Sequence, residues 1–434
     1  METAKLKRKI KSLIKIFWDY TIQDDVRIYR LKHTPVQIKR SLTKAAEKKY
    51  GSLPIEPEKL VFDDYMGSGY GGNSKYVTEE LLDRRKDLDI VWIVDDIEKH
   101  KAEFPPGIRL VEYKTQQALK EYATAAIWIC NYHLIAYFNM GLQKRPGQHY
   151  IQLWHGSLGI KRIENDFDSL TERKNWHYLA QKNSRNTDYW ISNSSFETQI
   201  YQRAFWSVHT VLEYGHPRND LFFKGDSRQT QEKVKRALGI DESEKIVLYV
   251  PTFREDDHFP ENKLDVDSLR DALRERFSGN WRVVVRLHPR MKGIIENVCR
   301  GSSDAIVMAD EYPDIQELLL ASQVAITDYS SGIFDFLLTG RPGFLYAPDL
   351  SAYNNERGFY YPLEKTPFPM AENNNQLADQ IRRFDENGYR EKISSFLEGK
   401  GCIEDGRAAE RVCDLIEEIL FKEEGRNDDK ESTL

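Results

Sequence analysis

The sequence contains no apolar run that approaches the roughly 20 residues a membrane-spanning helix needs. Its first residues also lack the apolar core and small-residue cleavage site of a secretory signal. Cysteine is scarce, and the four thiols are scattered without metal-site spacing, which is typical of a reducing, cytosolic protein. The net charge of −6 argues against a general nucleic-acid-binding protein. We therefore expect a globular chain with neither a zinc site nor a nucleic-acid partner.

Positive charge is concentrated at the amino end, where residues 1–50 carry fourteen Lys and Arg against five Asp and Glu. The stretch KLKRKIKSLIKIFWDY spaces six apolar residues three and four apart, with lysines between them: Leu6, Ile10, Leu13, Ile14, Phe17 and Trp18. This pattern predicts a basic amphipathic helix on an anionic membrane surface. The alternative is a helix that packs its apolar stripe on the body of the protein.

Short β-branched runs alternate with helix-like segments from residue 59 onward, which predicts an α/β fold with parallel sheets covered on both faces. The alternation breaks at SRQTQEKVKRALGIDESEK and begins again at KIVLYVPTF. We therefore expect two Rossmann-like domains, with a terminal helix near residues 408–421 closing the second. The predicted divisions are a membrane-associating arm (1–55), a first domain (56–225), a second domain (226–421) and a disordered acidic tail (422–434).

The stretch YIQLWHGS brings a histidine to the end of an apolar strand, where ligands bind in such sheets. His155 precedes Gly156 and Ser157, and glycine leaves room for a ligand beside the imidazole. A neutral imidazole can accept a proton from an alcohol at cellular pH. The alternative is a capping or hydrogen-bonded histidine, the commoner role of an isolated one. The neighbouring motifs favour the catalytic role.

Two further predicted strand ends carry groups suited to a phosphate or diphosphate. WRVVVRLHP supplies Arg286 and His288, two residues apart and therefore on one face of an extended strand. The alternative is an exposed arginine followed by a turn histidine. ITDYSSGIFDF places hydroxyls and free amides at a helix start, which favours an anion, although an ordinary helix cap looks the same. The candidates in this second stretch are Thr327, Ser330, Ser331 and Asp335.

Weaker candidates follow other predicted strands. YGHPRND contributes an arginine that could equally be a structural turn, PTFRED contributes two polar residues, and NNERGFYYP contributes a charged pair before an aromatic cluster. These candidates are Arg218, Thr252, Arg254, Glu356 and Arg357. The Gly-rich turn YMGSGYGGNSKY is neither a Walker motif nor a complete dinucleotide fingerprint, and we interpret it as a loop near the acceptor side.

Taken in order, WHGS, NSSFETQIYQRAF, YGHPRND, PTFRED, RLHP, TDYSSGIFDF and NNERGFYYP resemble the CDP-glycerol glycerophosphotransferase family of teichoic acid synthesis. The resemblance spans about residues 150–365. It implies a GT-B-like architecture, in which a first, acceptor domain faces a second, CDP-donor domain across a deep cleft. Members of the family work at the cytoplasmic face of the bacterial membrane as peripheral proteins. They transfer glycerol phosphate from CDP-glycerol to a hydroxyl of a polyprenyl-diphosphate-linked acceptor and release CMP.

The resemblance also implies roles for the candidates. His155 becomes the general base, and His288 assists at the donor phosphates. The donor side takes Arg286, Thr327, Ser330, Ser331, Asp335, Glu356, Arg357, Thr252 and Arg254, and the acceptor side takes Gly156, Ser157 and Arg218. No cofactor or metal is expected, because no carboxylate cluster obviously holds one. The alternatives are a CDP-ribitol transferase, a GT-B nucleotide-sugar glycosyltransferase, and a non-catalytic scaffold.

Overall fold

Buried β-branched and aromatic residues build a first sheet of seven parallel strands, in the order β3-β2-β1-β4-β5-β6-β7. Strands such as AAIWIC are buried on both faces, as expected of a parallel sheet between helical layers. The strands are β1 Glu56–Asp63, β2 Asp89–Val94, β3 Arg109–Glu112, β4 Ala125–Cys130, β5 His149–Gln152, β6 Tyr189–Ser192 and β7 Thr210–Glu213.

A second parallel sheet of six strands follows, in the order β12-β10-β8-β13-β14-β15. Its strands are β8 Lys245–Val250, β10 Trp281–Val285, β12 Ile306–Met308, β13 Val324–Thr327, β14 Gly343–Tyr346 and β15 Met370–Ala371, with a separate pair of β9 Leu264–Asp265 and β11 Cys299–Arg300. The α/β class with two Rossmann-like domains, in a GT-B-like arrangement, is therefore confirmed.

Helices flank both sheets. Those of the first half are α1 Val36–Gly51, α2 Gly72–Arg84, α3 Ile97–His100, α4 Gln116–Thr124, α5 Ile135–Met140, α6 Lys174–Asn186, α7 Ser195–Ala204 and α8 Leu221–Lys224. Those of the second half are α9 Ser227–Leu238, α10 Val266–Phe277, α11 Ile315–Ala321, α12 Gly332–Leu337, α13 Leu350–Arg357, α14 Asn374–Arg382, α15 Glu386–Gly399 and α16 Ala408–Glu431. Among the described residues, no helix combines the length and apolarity required to cross a membrane.

This computed structural model does not describe the whole chain, and the predicted amphipathic helix near residues 6–18 lies outside the described residues. The described backbone comprises residues 36–167, 174–224, 226–254, 262–288, 291 and 298–431. Within it, the side chains of residues 36–42, 174–176, 354–357 and 422–431 are left undescribed.

The two ends of the described chain both pack on the first domain. In α1, Tyr50 is buried and its hydroxyl donates to Gln116 Oε1 at 2.6 Å, so this part of the predicted arm belongs to the domain. In α16, Val412, Cys413 and Ile416 are buried in the core of the first sheet. The prediction that this helix closes the second domain is therefore wrong, because its apolar stripe covers the first sheet. The helix also continues to Glu431, through most of the predicted disordered tail.

Several contacts join the domains beside the cleft. Lys161 and Phe359 form an antiparallel bridge, which connects the segment after WHGS to the GFYY segment. The ammonium of Lys75 in α2 lies 2.6 Å from Asp314 and 3.1 Å from Glu317, both of the second domain. All three of these charged side chains are buried or nearly so. The facing strand ends are thus held close together.

Candidate active site

Polar residues follow the carboxyl ends of three adjacent strands of the first sheet, β1, β4 and β5. Asp64 follows β1, Asn131 follows β4 and His155 comes shortly after β5. The backbone turns at Trp154, whose φ of +53° lies in the left-handed region. Asn73 of α2 holds this turn, since its amide donates to the carbonyls of Leu153 at 3.1 Å and Trp154 at 2.9 Å.

The imidazole of His155 is oriented by one hydrogen bond. Its Nδ1 lies 3.0 Å from the Asn131 carbonyl oxygen, which only accepts, so Nδ1 carries the proton and Nε2 has the free lone pair. The side chain is exposed at one edge, but the rings of Tyr65, Tyr132 and Trp154 crowd it at centroid distances of 5.3, 5.4 and 4.4 Å. This desolvation lowers the pKa of His155 to about 4, against the opposing effect of the Asn131 hydrogen bond. The ring is therefore a neutral proton acceptor at cellular pH.

Arg218 ties the WHGS loop to the second domain. Its Nη2 donates to the Gly156 carbonyl at 2.6 Å, and its Nε donates to Asp335 Oδ2 at 2.9 Å. Both charged side chains are buried, and Nη1 of the guanidinium is buried without a hydrogen-bond partner. Ser157 Oγ accepts a hydrogen bond from the Asn193 amide at 3.2 Å. The three acceptor-side candidates thus lie together, next to His155.

Arg286 and His288 lie beyond the strand rather than on it, because β10 ends at Val285. The Arg286 guanidinium donates to the Tyr312 carbonyl. Desolvation lowers the pKa of this arginine, while the charges of Asp314, Asp310 and Asp64 oppose the shift. Because Asp64 belongs to the first domain, Arg286 lies close enough to that domain for the Asp64 charge to act on it. The His288 ring packs beside Phe253, at a centroid distance of 5.7 Å.

Thr252, Arg254 and Thr327 are bonded within the second domain. Arg254 donates to Asp328 at 2.9 Å and to Asp349 at 2.7 Å, so two carboxylates already satisfy its charge. Thr252 N donates to Asp328 at 2.9 Å, and the Thr327 hydroxyl donates to the Val250 carbonyl at 2.5 Å. Asp335 is similarly engaged, by Arg218. Their partners suit Arg254, Thr327 and Asp335 to supporting the site, whereas the buried hydroxyl of Thr252 has no hydrogen-bond partner among the described residues.

The Ser-Ser-Gly turn lies opposite the WHGS loop. A Cβ added at Gly159 would come within 3.3 Å of Ser331 Cβ, so the two domains approach closely here. The Ser331 hydroxyl makes no capping bond to α12, whereas Ser330 Oγ accepts from Gly332 N at 3.4 Å. Glu356 and Arg357 end α13, and their side chains lie outside the described ones.

Asp64, Asn131 and Asn73 are not among the candidates that the sequence suggested, although the first two lie near the ends of the apolar runs KLVFDDY and AAIWICNY. Their signal was present as DD after LVF and N after IWIC. Among the described residues, no group of three or more His, Cys, Asp or Glu side chains is arranged to hold a metal ion.

The two parallel sheets, with a histidine after β5 of the first and an arginine and two serines after β10 and β13 of the second, define a two-domain α/β protein with polar groups at its strand ends. The family model of CDP-glycerol:poly(glycerophosphate) glycerophosphotransferase matches residues 48–418. Because this match covers most of the sequence, the chain belongs to that family. The resemblance found in the motifs and the glycerophosphotransferase function that it implied are both confirmed.

Named relatives agree with this assignment. The chain is 30% identical over 385 residues to a teichoic acid poly(glycerol phosphate) polymerase of Bacillus spizizenii, covering 85% of this chain and 94% of the relative. It is 31% identical over 372 residues to a teichoic acid glycerol-phosphate transferase of Staphylococcus aureus, covering 82% and 92%. The solved structure of the wall teichoic acid polymerase TagF superposes with a TM-score of 0.75, at 26% identity, covering 88% of this chain and 94% of that one.

Proposed function

We propose that this chain transfers glycerol phosphate from CDP-glycerol to a hydroxyl of a lipid-linked teichoic acid or related cell-surface acceptor, with His155 as the base. The observation that carries the proposal is the neutral His155 ring, whose Nδ1 is bonded to the Asn131 carbonyl so that Nε2 is the basic nitrogen. The relatives with glycerol phosphate in their names are 27–31% identical to the chain, and those with ribitol phosphate are 26–28% identical. This supports glycerol as the donor polyol.

In the proposed reaction, the acceptor hydroxyl donates its proton to His155 Nε2 while its oxygen attacks the β-phosphorus of CDP-glycerol. The bond between the β-phosphorus and the bridging oxygen breaks, and CMP leaves with that oxygen. The proton on His155 is then released to solvent, which restores the neutral base. Positioning and charge stabilisation supply most of the catalysis in phosphoryl transfer.

We assign the stabilisation of the negative charge that develops on the phosphoryl oxygens to Arg286, His288 and the hydroxyls of Ser330 and Ser331. These groups follow strands β10 and β13 of the second domain, and cations and donors aimed at phosphoryl oxygens stabilise such charge. The unpartnered Nη1 of Arg218 suits an anionic substrate on the acceptor side. Thr327, Arg254 and Asp335 support the strand ends instead.

The acceptor and the location of the enzyme are part of the same proposal. The net positive charge of residues 1–50 suits a peripheral position at the anionic cytoplasmic face of the bacterial membrane, where a polyprenyl-diphosphate-linked acceptor is presented. Deleting residues 1–20 is expected to weaken sedimentation with anionic vesicles and to leave binding to zwitterionic vesicles unchanged. Undiminished sedimentation with anionic vesicles would remove the membrane role of this segment.

The test of the transfer reaction is a donor panel. The full chain is incubated with a lipid-linked acceptor and CDP-glycerol, CDP-ribitol or a UDP-sugar, and released CMP or UDP is quantified. We expect CMP from CDP-glycerol above all, and a loss of about 10²–10⁴-fold in rate for His155→Ala. His209→Ala is the matched control, because His209 is exposed and precedes β7, at the opposite edge of the sheet. Equal rates for both variants would refute the base assignment, and UDP release alone would refute the donor.

A further inference from the structure

The carboxylate of Asp64 is connected to the catalytic imidazole through a single residue. Asn131 Nδ2 donates to Asp64 Oδ1, and the backbone carbonyl of the same Asn131 accepts from His155 Nδ1 at 3.0 Å. Asp64, Asn131 and His155 follow three neighbouring strands, so the rigid edge of one sheet sets their spacing. Asp64 and Asn131 are both buried, at 9% and 3% exposure, whereas His155 is exposed.

The Asn131 side chain is fixed from both sides. Its Oδ1 accepts from Tyr65 N at 2.9 Å, while its Nδ2 faces Asp64. Gly72 approaches this pair so closely that an added Cβ would lie 2.5 Å from Asn131 Nδ2 and 2.6 Å from Asp64 Oδ1. The Gly-rich loop therefore closes over the pair and leaves the amide a single orientation. A carbonyl anchored in this way can select one histidine tautomer.

The charges around Asp64 come from both domains. Burial raises the pKa of Asp64 to about 6, Asn131 opposes the shift, and the charge of Asp314 adds to it. Arg218 also acts on Asp64, and Asp64 in turn acts on Arg286. The carboxyl group thus lies among the groups that define the cleft, while its oxygens are bonded to Asn131 and Ser68.

We propose that Asp64 and Asn131 are positioning residues that hold His155 as the Nδ1–H tautomer and direct Nε2 into the cleft. The inference rests on the proposed role of His155 as the base, and it adds the groups that determine which nitrogen is basic. Loss of the side-chain amide releases the Asn131 backbone carbonyl from its fixed position, so the ring that it holds can rotate and exchange tautomers, which misplaces the lone pair. A misplacement of about 1 Å can cost about 10²-fold in rate.

The test combines kinetics with the nitrogen signals of ¹⁵N-histidine in the full chain, where the His155 signals are assigned by their loss in His155→Ala. In the wild type we expect Nδ1 protonated and Nε2 unprotonated at neutral pH. Asn131→Ala is expected to mix the two tautomers and to lower kcat for CMP release about 10²-fold, with KM for CDP-glycerol little changed. Asp64→Ala removes the oxygen that accepts from Asn131 Nδ2 and is expected to shift the tautomer in the same direction as Asn131→Ala.

Asn183→Ala is the matched control. Asn183 is equally buried in the first domain, but its Oδ1 accepts from Leu134 N and the Tyr150 hydroxyl rather than serving His155. A tautomer unchanged in Asn131→Ala, or changed as much in Asn183→Ala, would overturn the proposal. Because the nitrogen signals need no substrate, they test the positioning even if the chain releases no CMP from CDP-glycerol, a result that would sink the proposed function alone.

Discussion

The neutral state of His155 predicts an unusual acid limb in the pH dependence of the transfer reaction. With a pKa of about 4, the ring is about 97% neutral at pH 5.5, whereas an ordinary histidine of pKa near 6.5 would be about 9% neutral. Lowering the pH from about 7.5 to about 5.5 would therefore cost an ordinary histidine base about tenfold in rate. The crowded base of this site should lose almost nothing, because its charged form is disfavoured among Tyr65, Tyr132 and Trp154.

The assay is single-turnover release of CMP from CDP-glycerol, quenched rapidly so that product release does not mask chemistry. Asp64 titrates near pH 6 by its raised pKa, so the profile is repeated with Asp64→Asn. A limb near pH 6 that disappears in this variant belongs to Asp64 and leaves the reasoning intact. A tenfold limb near pH 6.5 that persists in Asp64→Asn would refute it, since it would show that His155 titrates like a solvated histidine.

Three further predictions follow from contacts around the cleft. Gly72→Ala should lower both the thermal midpoint and the rate, because its Cβ would clash with the Asp64–Asn131 pair at a φ of +59°; Gly107→Ala, at a φ of +95° with nothing within 4 Å, should spare the rate. Lys75→Met should reduce the unfolding free energy measured with urea by about 3–5 kcal/mol, since the buried carboxylate of Asp314 loses its cation while Glu317 keeps Lys233; Lys101→Met, in an exposed pair, should change it by about 1 kcal/mol or less. Burial raises the pKa of Glu404 to about 7, so the protonated carboxyl stabilises the fold at low pH and this stability is lost as the pH rises toward neutrality. Glu404→Gln should flatten that decline in thermal scans from about pH 5 to about pH 8, and an equal slope in both proteins would contradict it.

The strands were predictable because their signal is local. Runs such as DIVWIV and KIVLYV are buried on both faces, and each became a strand of a parallel sheet. The sheet on which α16 packs was not predictable in this way, since an apolar stripe does not specify which of two sheets it covers. The helix lies on the first sheet because Val412 and Ile416 pack there, a contact between parts of the chain far apart in sequence.

In the candidate site, too, features with a local signal were predictable and contacts between distant residues were not. A histidine after an apolar strand predicted a site at the strand ends, and His155 is an exposed residue shortly after β5. Pattern alone could not show that Arg254 is neutralised by Asp328 and Asp349, because those partners are distant along the chain. Neither could it show that the Asn131 carbonyl selects the tautomer, since every residue has a carbonyl and only the adjacent strand ends bring this one to the ring.

The most direct test of the whole account is a structure of this chain in complex with CDP-glycerol. We predict that the β-phosphate lies in the cleft, between His155 Nε2 and the Arg286–Ser331 side, with the nucleoside over the carboxyl ends of the second sheet. A donor bound instead in the cavity of about 290 Å³ at the opposite edge of that sheet, beside Trp281 and Arg341, would contradict it.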